Sequence, residues 1–353
     1  MTTYWVMFFL VALAAVLTTT PGTNYSRRAI PWFFVFVTLS VLVGLRHEVG
    51  GDWGNYQENF FNDEGLSLVE ALQGKDAGFQ FLSWLAMQLG GDVHLLNLFC
   101  GILFSAGLVV FCRAQPRPWL ALTVAVPYLV IVVAMGYTRQ GVAIGLTMLG
   151  MVALSRKHNW LFVAAVVAAA TMHKSAIVLL PLAILATPRR RIWTALWAGV
   201  TILVMYNVLI ADSIDAFVTN YIEAEYTSEG ATVRIAMNVL PAVILLAARR
   251  RLLLMPAERN LWLLMAALAI ACALWLPVAA SSTAVDRLAL YLIPLQLFTL
   301  SRLPELMTKR AGARGDTIWV YVVVLYYGVV QFVWLNFAIH ASGWLPYKSW
   351  IFS

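Results

Sequence analysis

A histidine–lysine pair, His173-Lys174, divides an otherwise apolar stretch from Trp160 to Ala186 close to its midpoint. Charge inside a membrane segment is costly, so an ionisable pair at such a place is a candidate functional site. Basic clusters flank the stretch at 156–157 and 189–191. If both clusters lie on one side of a membrane, the chain crosses and returns, and the pair lies at the turn on the other side.

Other charged residues fall at the ends of apolar runs in the same way. They are three arginines, Arg46, Arg139 and Arg287, and two aspartates, Asp52 and Asp286. A ring of cations suits an anionic headgroup, and the guanidinium fork matches phosphate oxygens. Structural explanations also exist, because arginine and lysine side chains can snorkel to the interface and adjacent Asp286 and Arg287 can form a local ion pair.

Aromatic residues crowd the same ends of the apolar runs. They are Trp53, Tyr56, Tyr137, Trp344, Tyr347 and Trp350. Tryptophan and tyrosine commonly form a belt at the membrane interface, which explains such positions without a ligand. Stacking against the apolar faces of sugar rings is the alternative, and position alone does not separate the two.

The elements that position these residues follow from composition. The chain of 353 residues is 61% hydrophobic and 12% charged, whereas a soluble chain carries about 25% charged residues. Apolar runs of about 20 residues recur along the whole chain, which predicts an all-α, polytopic integral membrane protein. The net charge of +7 does not indicate nucleic-acid binding, because its distribution between loops explains it better.

Twelve apolar runs are predicted to span the membrane, two of them (159–172 and 175–187) short enough to be tilted or re-entrant. Residues 79–91 are apolar but too short to cross, which predicts an interfacial or re-entrant helix. The twelve runs are 4–20, 30–45, 93–112, 119–136, 138–155, 159–172, 175–187, 192–211, 233–248, 260–279, 285–300 and 317–339.

Charged residues divide between alternate loops. One side receives 17 of the 24 basic residues, and the other receives 14 of the 17 acidic residues. The positive-inside rule then places the basic side in the cytoplasm and both termini outside. We expect one transmembrane domain, 1–353, whose outer loops 46–92 and 212–232 form part of the periplasmic face. The run 4–17 is predicted to be a retained helix, and Cys100, Cys112 and Cys272 to be packing residues rather than disulfides.

Six short motifs occur in an order that resembles the EpsG family of bacterial exopolysaccharide proteins. Residues 44–56 read GLRHEVGGDWGNY, like the family's opening signature, and 77–79 read AGF at the start of the short apolar segment. The later motifs are TRQGVA at 138–143, MHKSA at 172–176, DRLALY at 286–291 and LPY at 345–347. Gly51 and Lys174 are the positions that depart from the usual family pattern.

The family is similar to the Wzy-type polymerases, so the resemblance implies a GT-C-like membrane glycosyltransferase. It implies transfer of a growing glycan from undecaprenyl diphosphate to the non-reducing end of a lipid-linked repeat. Arg139 and Arg287, supported by Arg46 and Lys174, would stabilise the departing diphosphate. His173, kept neutral by Lys174, would accept the proton, with Asp52 as the second candidate. Substrate contacts are expected from Tyr56, Tyr137, Gln140, Asp286, Tyr291 and Tyr347.

No metal or cofactor is expected, because no dense carboxylate motif occurs at this face. The implied partners are the lipid-linked oligosaccharide, the bilayer, and a chain-length regulator and flippase of the same pathway in the bacterial inner membrane. Two alternatives stay open: a transferase like the O-antigen ligases, with another acceptor, and a non-catalytic scaffold or transporter.

Overall fold

A computed structural model describes residues 1–18, 28–182, 230–252, 254–279, 281–308 and 314–352, together with the isolated positions 192, 196 and 199. Three expectations from the sequence lie largely or wholly outside these ranges. They are the span 192–211, the outer loop 212–232 and the basic cluster 189–191.

The described residues form helices, numbered here in chain order. They are α1 Thr2–Leu17, α2 Ala29–Gly44, α3 Trp53–Asn62, α4 Leu68–Gln73, α5 Ala77–Gln88, α6 Val93–Ala114, α7 Pro118–Ala125 with a π-helical continuation Val126–Ala134, α8 Thr138–Ser155, α9 Asn159–Met172, α10 Ala231–Ala248, α11 Pro256–Trp275, α12 Ser282–Leu290, α13 Ile293–Leu300, α14 Leu303–Met307 and α15 Arg314–Phe337. Short 3-10 segments follow several of them, including Lys174–Leu179 after α9.

Four of these helices are long and apolar enough to cross a membrane, and a fifth span exists if α12 and α13, bent by 44°, are one crossing. Four shorter apolar helices of 10–17 residues accompany them: Thr2–Leu17, Ala29–Gly44, Pro118–Ala134 and Asn159–Met172. The chain is therefore an all-helical membrane protein in its described part. The predicted twelve crossings exceed what these helices establish by length and composition.

The segment 46–92 is folded into three helices rather than an open loop. Helix α4 begins with a capping box in which the Ser67 hydroxyl accepts from the Glu70 backbone N–H and Glu70 bonds back to the Ser67 backbone. Helix α3 buries Trp53, Tyr56 and Phe60 along one face, a spacing that follows the helical period. This face packs against α5 and α6, where it holds the segment on the bundle.

Close backbone contact joins α6 to α8. A Cβ atom built on Gly107 would lie 2.0 Å from the Gly145 carbonyl oxygen, so a side chain there would force the helices apart. Small residues permit this approach in membrane helices, where packing replaces hydrophobic driving force.

The π-helical continuation of α7 widens the backbone just before the turn that carries Arg139. It contains Pro127, which lacks a backbone N–H, and its Ile131 carbonyl accepts from the Trp344 indole at 2.8 Å. Such π segments are uncommon and are frequent at functional sites. The segment therefore couples the position of α8 to the residues around Trp344.

A chain of polar side chains crosses the buried interior between α10, α13 and α15. The Tyr327 hydroxyl donates to Gln296 Oε1 at 2.7 Å, and Gln296 Nε2 donates to Asn238 Oδ1 at 2.7 Å. Asn238 Nδ2 then donates to the Ala289 carbonyl at 2.9 Å. These bonds connect α10, α13 and α15 to Ala289 of α12 and end next to the bend between α12 and α13.

Ionic contacts hold the two ends of the bundle. At one end Arg117 binds Glu305 at 2.8 Å and Asp316 at 3.3 Å. The other end, called the site end below, carries Asp52, Arg139, His173, Arg287 and the segment 345–350. There the Trp350 backbone N–H donates to the Leu45 carbonyl at 2.8 Å.

Candidate functional site

The turn at His173 has the predicted break. Helix α9 ends at Met172, His173 is extended with φ −157° and ψ 116°, and a 3-10 segment follows. Nδ1 of His173 lies 2.5 Å from Ser175 Oγ, and Ser175 Oγ donates to the Tyr291 hydroxyl at 3.1 Å. The turn is thereby tied to Tyr291 at the end of α12, which is fully buried.

The environment of the His173 ring favours its neutral form. Burial lowers the pKa of His173 far below its usual range, and the charges of Arg139, Arg287 and Lys75 lower it further. The sequence analysis expected Lys174 to favour the neutral form, whereas the causes found are burial and the charges of Arg139, Arg287 and Lys75. Lys174 acts instead on the carboxyl of Asp76.

Arg139 lies in the first turn of α8 between a carboxylate and two rings. Its Nη1 donates to Asp76 Oδ2 at 2.7 Å, and its guanidinium carbon lies 5.7 Å from the ring centres of Tyr56 and Phe79. The Arg139 backbone N–H donates to the Tyr56 hydroxyl at 3.4 Å. The Arg139 side chain is 35% exposed and that of Asp76 only 7%, so the open side of this pair is the cation.

The charges of Arg139 and Arg287, the two arginines expected to bind diphosphate, act on the carboxyl of Asp52. Burial raises the pKa of Asp52, and the nearby charges of Arg287 and Arg139 oppose that rise. The net direction is upward, which leaves this carboxyl more basic than an ordinary aspartate. Asp52 lies directly before α3, whose Tyr56 hydroxyl accepts from the Arg139 backbone N–H.

A hydrogen bond to its backbone carbonyl holds Arg287 at the site. The Gln140 side chain donates from Nε2 to the Arg287 carbonyl at 2.6 Å. Tyr137 lies at the turn before α8, and burial raises the pKa of its hydroxyl. Nearby charges also act on this hydroxyl, namely those of Arg234, Asp52, Asp286 and Arg287. The turn 137–140 therefore meets α12 at the site end.

Arg46 is not part of an open ring of cations. It is completely buried, its Nε donates to the Val49 carbonyl at 3.0 Å, and its Nη2 donates to Thr138 Oγ1 at 2.6 Å. Its Nη1 bonds to the Val43 carbonyl. These bonds hold the end of α2 against the start of α8, so Arg46 stabilises the packing of the helices that carry the site.

Two other expected substrate contacts are also engaged within the protein. The Tyr347 hydroxyl donates to the Leu42 carbonyl at 3.0 Å, which fastens the segment 345–350 to α2. Asp286 binds Arg234 of α10 through two contacts of 2.8 and 2.6 Å, so its carboxylate is engaged by a neighbouring helix.

Sequence reasoning missed Asp76 and Ser175 as members of this constellation. Asp76 is one of eight acidic residues in the expected outer loop 46–92, and its partner Arg139 lies 63 residues away. A signal for its position was present in Gly78: a Cβ there would lie 2.4 Å from Thr171 Oγ1, so α5 approaches the end of α9 closely. Among the residues that the structure describes, no group of three histidine, cysteine or acidic side chains could hold a metal ion.

The fold and this site define a class, that of all-helical membrane proteins which gather arginine, carboxylate and imidazole groups at one end. A family model matches residues 29–349, nearly the whole chain, and the chain belongs to the EpsG family. That family is associated with exopolysaccharide polymerisation and implies a lipid-linked oligosaccharide substrate in a membrane. Comparison with curated proteins and with solved structures found no match.

Proposed function

We propose that the chain is a polysaccharide polymerase that transfers a growing glycan from undecaprenyl diphosphate to the non-reducing end of an incoming lipid-linked repeat. The observation that carries this proposal is the placement of Asp52 within the field of both Arg139 and Arg287. The charges of both guanidinium groups act on this carboxylate, which supports a proton acceptor near the place where a diphosphate would bind. Membership in the EpsG family supports the same reaction class.

The reaction needs charge stabilisation on the leaving group. The acceptor hydroxyl oxygen forms a bond to the anomeric carbon, and the bond from that carbon to the phosphate oxygen breaks. The electron pair goes to undecaprenyl diphosphate, whose growing negative charge is held by Arg139 and Arg287. Preorganised donors of this kind contribute on the order of 3–4 kcal/mol each in other enzymes. Lys174, half-exposed at the neighbouring turn, adds to the positive field.

Asp52 is the favoured acceptor of the hydroxyl proton. A general base works best when its pKa lies near the working pH. Burial moves the pKa of Asp52 upward, toward that range, and moves the pKa of His173 away from it. The neutral ring of His173, fixed through Ser175 and Tyr291, then orients a sugar hydroxyl by hydrogen bonding. Tyr56, Tyr137 and Gln140 position the two arginines and the sugar.

Orientation and fold complete the proposal. The distribution of basic residues supports a site end that faces the periplasm of the bacterial inner membrane. Twelve crossings in a GT-C-like arrangement accommodate the helices described above, and the donor would reach Arg139 and Arg287 from the bilayer. A flippase that supplies repeats and a regulator of chain length are the expected partners, and no cofactor is required.

The alternatives are a ligase-like transferase, which shares the donor, and a transporter or scaffold. A transporter places its charged groups near mid-depth, whereas the described cations discussed above gather at the ends of the bundle. The polar chain from Tyr327 to Asn238 is uncharged and fully bonded. The site end therefore favours chemistry on a membrane-anchored substrate.

The purified chain incubated with lipid-linked repeats tests the proposal. A ladder of products supports a polymerase, a single transfer to another acceptor supports a ligase, and no turnover removes the catalytic proposal. Arg139→Ala and Arg287→Ala should each lower turnover by about a hundredfold or more without loss of folded protein. Arg250→Ala, a matched loss of an exposed arginine in the 3-10 segment after α10, should leave turnover unchanged. Normal product ladders from both Arg139→Ala and Arg287→Ala would contradict the binding of diphosphate by these two arginines.

A further inference from the structure

Asp76 occupies the N-cap position of helix α5 but does not cap it. Aspartate at this position ordinarily accepts from a backbone N–H in the first helical turn. Asp92 does so at the start of α6, where its carboxyl accepts from the His94 backbone N–H at 3.0 Å. The Asp76 carboxyl is instead committed to the guanidinium of Arg139 at 2.7 Å.

Two anions therefore compete for Arg139. One is the carboxyl of Asp76, and the other is the diphosphate assigned to Arg139 under the proposed function. The carboxyl has a second place to go, because the first-turn N–H groups of α5 and the positive end of that helix favour an anion. The diphosphate would gain the guanidinium at the moment when the carboxyl gains its helix cap.

The surroundings of Arg139 hold the cation in place during such an exchange. The rings of Tyr56 and Phe79 flank the guanidinium at 5.7 Å each, and both side chains are buried. Helix α5 is itself fixed against α9, since a Cβ on Gly78 would lie 2.4 Å from Thr171 Oγ1.

We propose that Asp76 is an internal competitor at the anion site, which neutralises Arg139 in the absence of donor and swings to cap α5 when a diphosphate binds. The inference rests on the proposed function for the identity of the anion. The competition makes the affinity of the site for diphosphate depend on the position of the Asp76 carboxyl. Departing undecaprenyl diphosphate is displaced by the returning carboxyl, and this keeps product from occupying Arg139.

The test measures binding of inorganic pyrophosphate to the full chain in detergent. Asp76→Asn keeps a good N-cap residue and removes the charge, and Asp76→Ser does the same with a different side chain. Both should bind pyrophosphate roughly threefold to tenfold more tightly than the natural chain, because the competing state is lost. Asp76→Glu retains the competitor and should bind like the natural chain.

Glu64→Gln is the matched control, because Glu64 is an exposed acid between α3 and α4 whose loss removes the same charge from the site end. Its affinity should not change. Hydrogen exchange gives a second readout: pyrophosphate should protect the amides of Gly78 and Phe79 in the natural chain and not in Asp76→Ser if the new cap comes from the Asp76 carboxyl.

The outcomes separate the two proposals. Equal or weaker binding by Asp76→Asn and Asp76→Ser, with binding abolished in Arg139→Ala, overturns the competitor and leaves the anion site standing. Unchanged pyrophosphate binding in Arg139→Ala overturns the anion site, and with it the competitor. Tighter binding in both Asp76 variants together with a silent Glu64→Gln supports the inference.

Discussion

The side chain of Gln140 donates a 2.6 Å hydrogen bond to the backbone carbonyl of Arg287. Gln140 follows Arg139 directly in α8, so this single bond joins the neighbourhoods of two arginines that are far apart in sequence. Gln140 is buried, and the bond connects α8 to α12 without using either guanidinium. The bond thus holds the backbone of Arg287 close to the start of α8, where Arg139 lies.

Gln140→Ala should lower the turnover number up to about a hundredfold, because a displacement of catalytic groups by about 1 Å can cost that much. The free energy of unfolding should fall by only about 1 kcal/mol, the usual contribution of one hydrogen bond. Steady-state assays and unfolding in mixed micelles measure the two quantities. Thr147→Ala, a buried hydroxyl further along α8, is the control. Unchanged turnover in Gln140→Ala would show that the bond does not position Arg287.

The pH dependence of turnover distinguishes the two candidate bases. Burial raises the pKa of Asp52 and lowers the pKa of His173. To accept a proton, Asp52 must be ionised and His173 must be neutral. Activity therefore falls as the pH drops through the pKa of whichever group is the base. We expect an acidic limb above pH ~4, the ordinary aspartate value, because Asp52 protonates early.

Asp52→Asn should abolish that limb along with most of the activity. His173→Gln should keep the limb at the same pH with a reduced rate. A limb well below pH ~4 that disappears in His173→Gln would assign the proton to the imidazole instead.

The interior chain of hydrogen bonds predicts a stability effect at Tyr327. Tyr327→Phe removes the donor to Gln296 Oε1, and buried polar bonds between membrane helices contribute on the order of 0.6–2 kcal/mol. The free energy of unfolding should fall by about 1 kcal/mol. Tyr326→Phe, next in the chain and in edge contact with Tyr327 at 5.1 Å, is the control. Equal losses in both variants would contradict a special role for this bond.

Orientation is testable with two single cysteines. In a chain with Cys100, Cys112 and Cys272 replaced by alanine, Glu64→Cys should react with an impermeant maleimide from the periplasmic side. Arg250→Cys, in the basic 3-10 segment after α10, should react only after the membrane is opened. The reverse pattern would invert the proposed topology.

The break at His173 was predictable, because two ionisable residues in the middle of an apolar stretch oppose a continuous membrane helix. The helix that begins at the capping box of Ser67 and Glu70 was not predicted, because the segment was expected to be an outer loop. The number of crossings was harder to predict, since several apolar runs form helices of 10–17 residues.

The partners of the charged residues could not be predicted. Arg139 pairs with Asp76 and Arg234 with Asp286, across 63 and 52 residues respectively. Such contacts depend on how the helices pack, whereas sequence patterns report only which face of each helix is apolar. Arg46 illustrates the cost of this limit: its place at a helix end suggests an exposed cation, and packing buries it completely.

The π-helical segment Val126–Ala134 makes this chain sensitive to insertions and deletions of single residues. A π segment accommodates an extra residue that an α-helix of the same rise would exclude. Deleting one residue from it would shorten the ladder to ordinary α-helical bonding and turn the following residues by about 100° around the axis. Arg139 would then face away from Asp76. Single-residue indels here, unlike substitutions, would disconnect the site in one step.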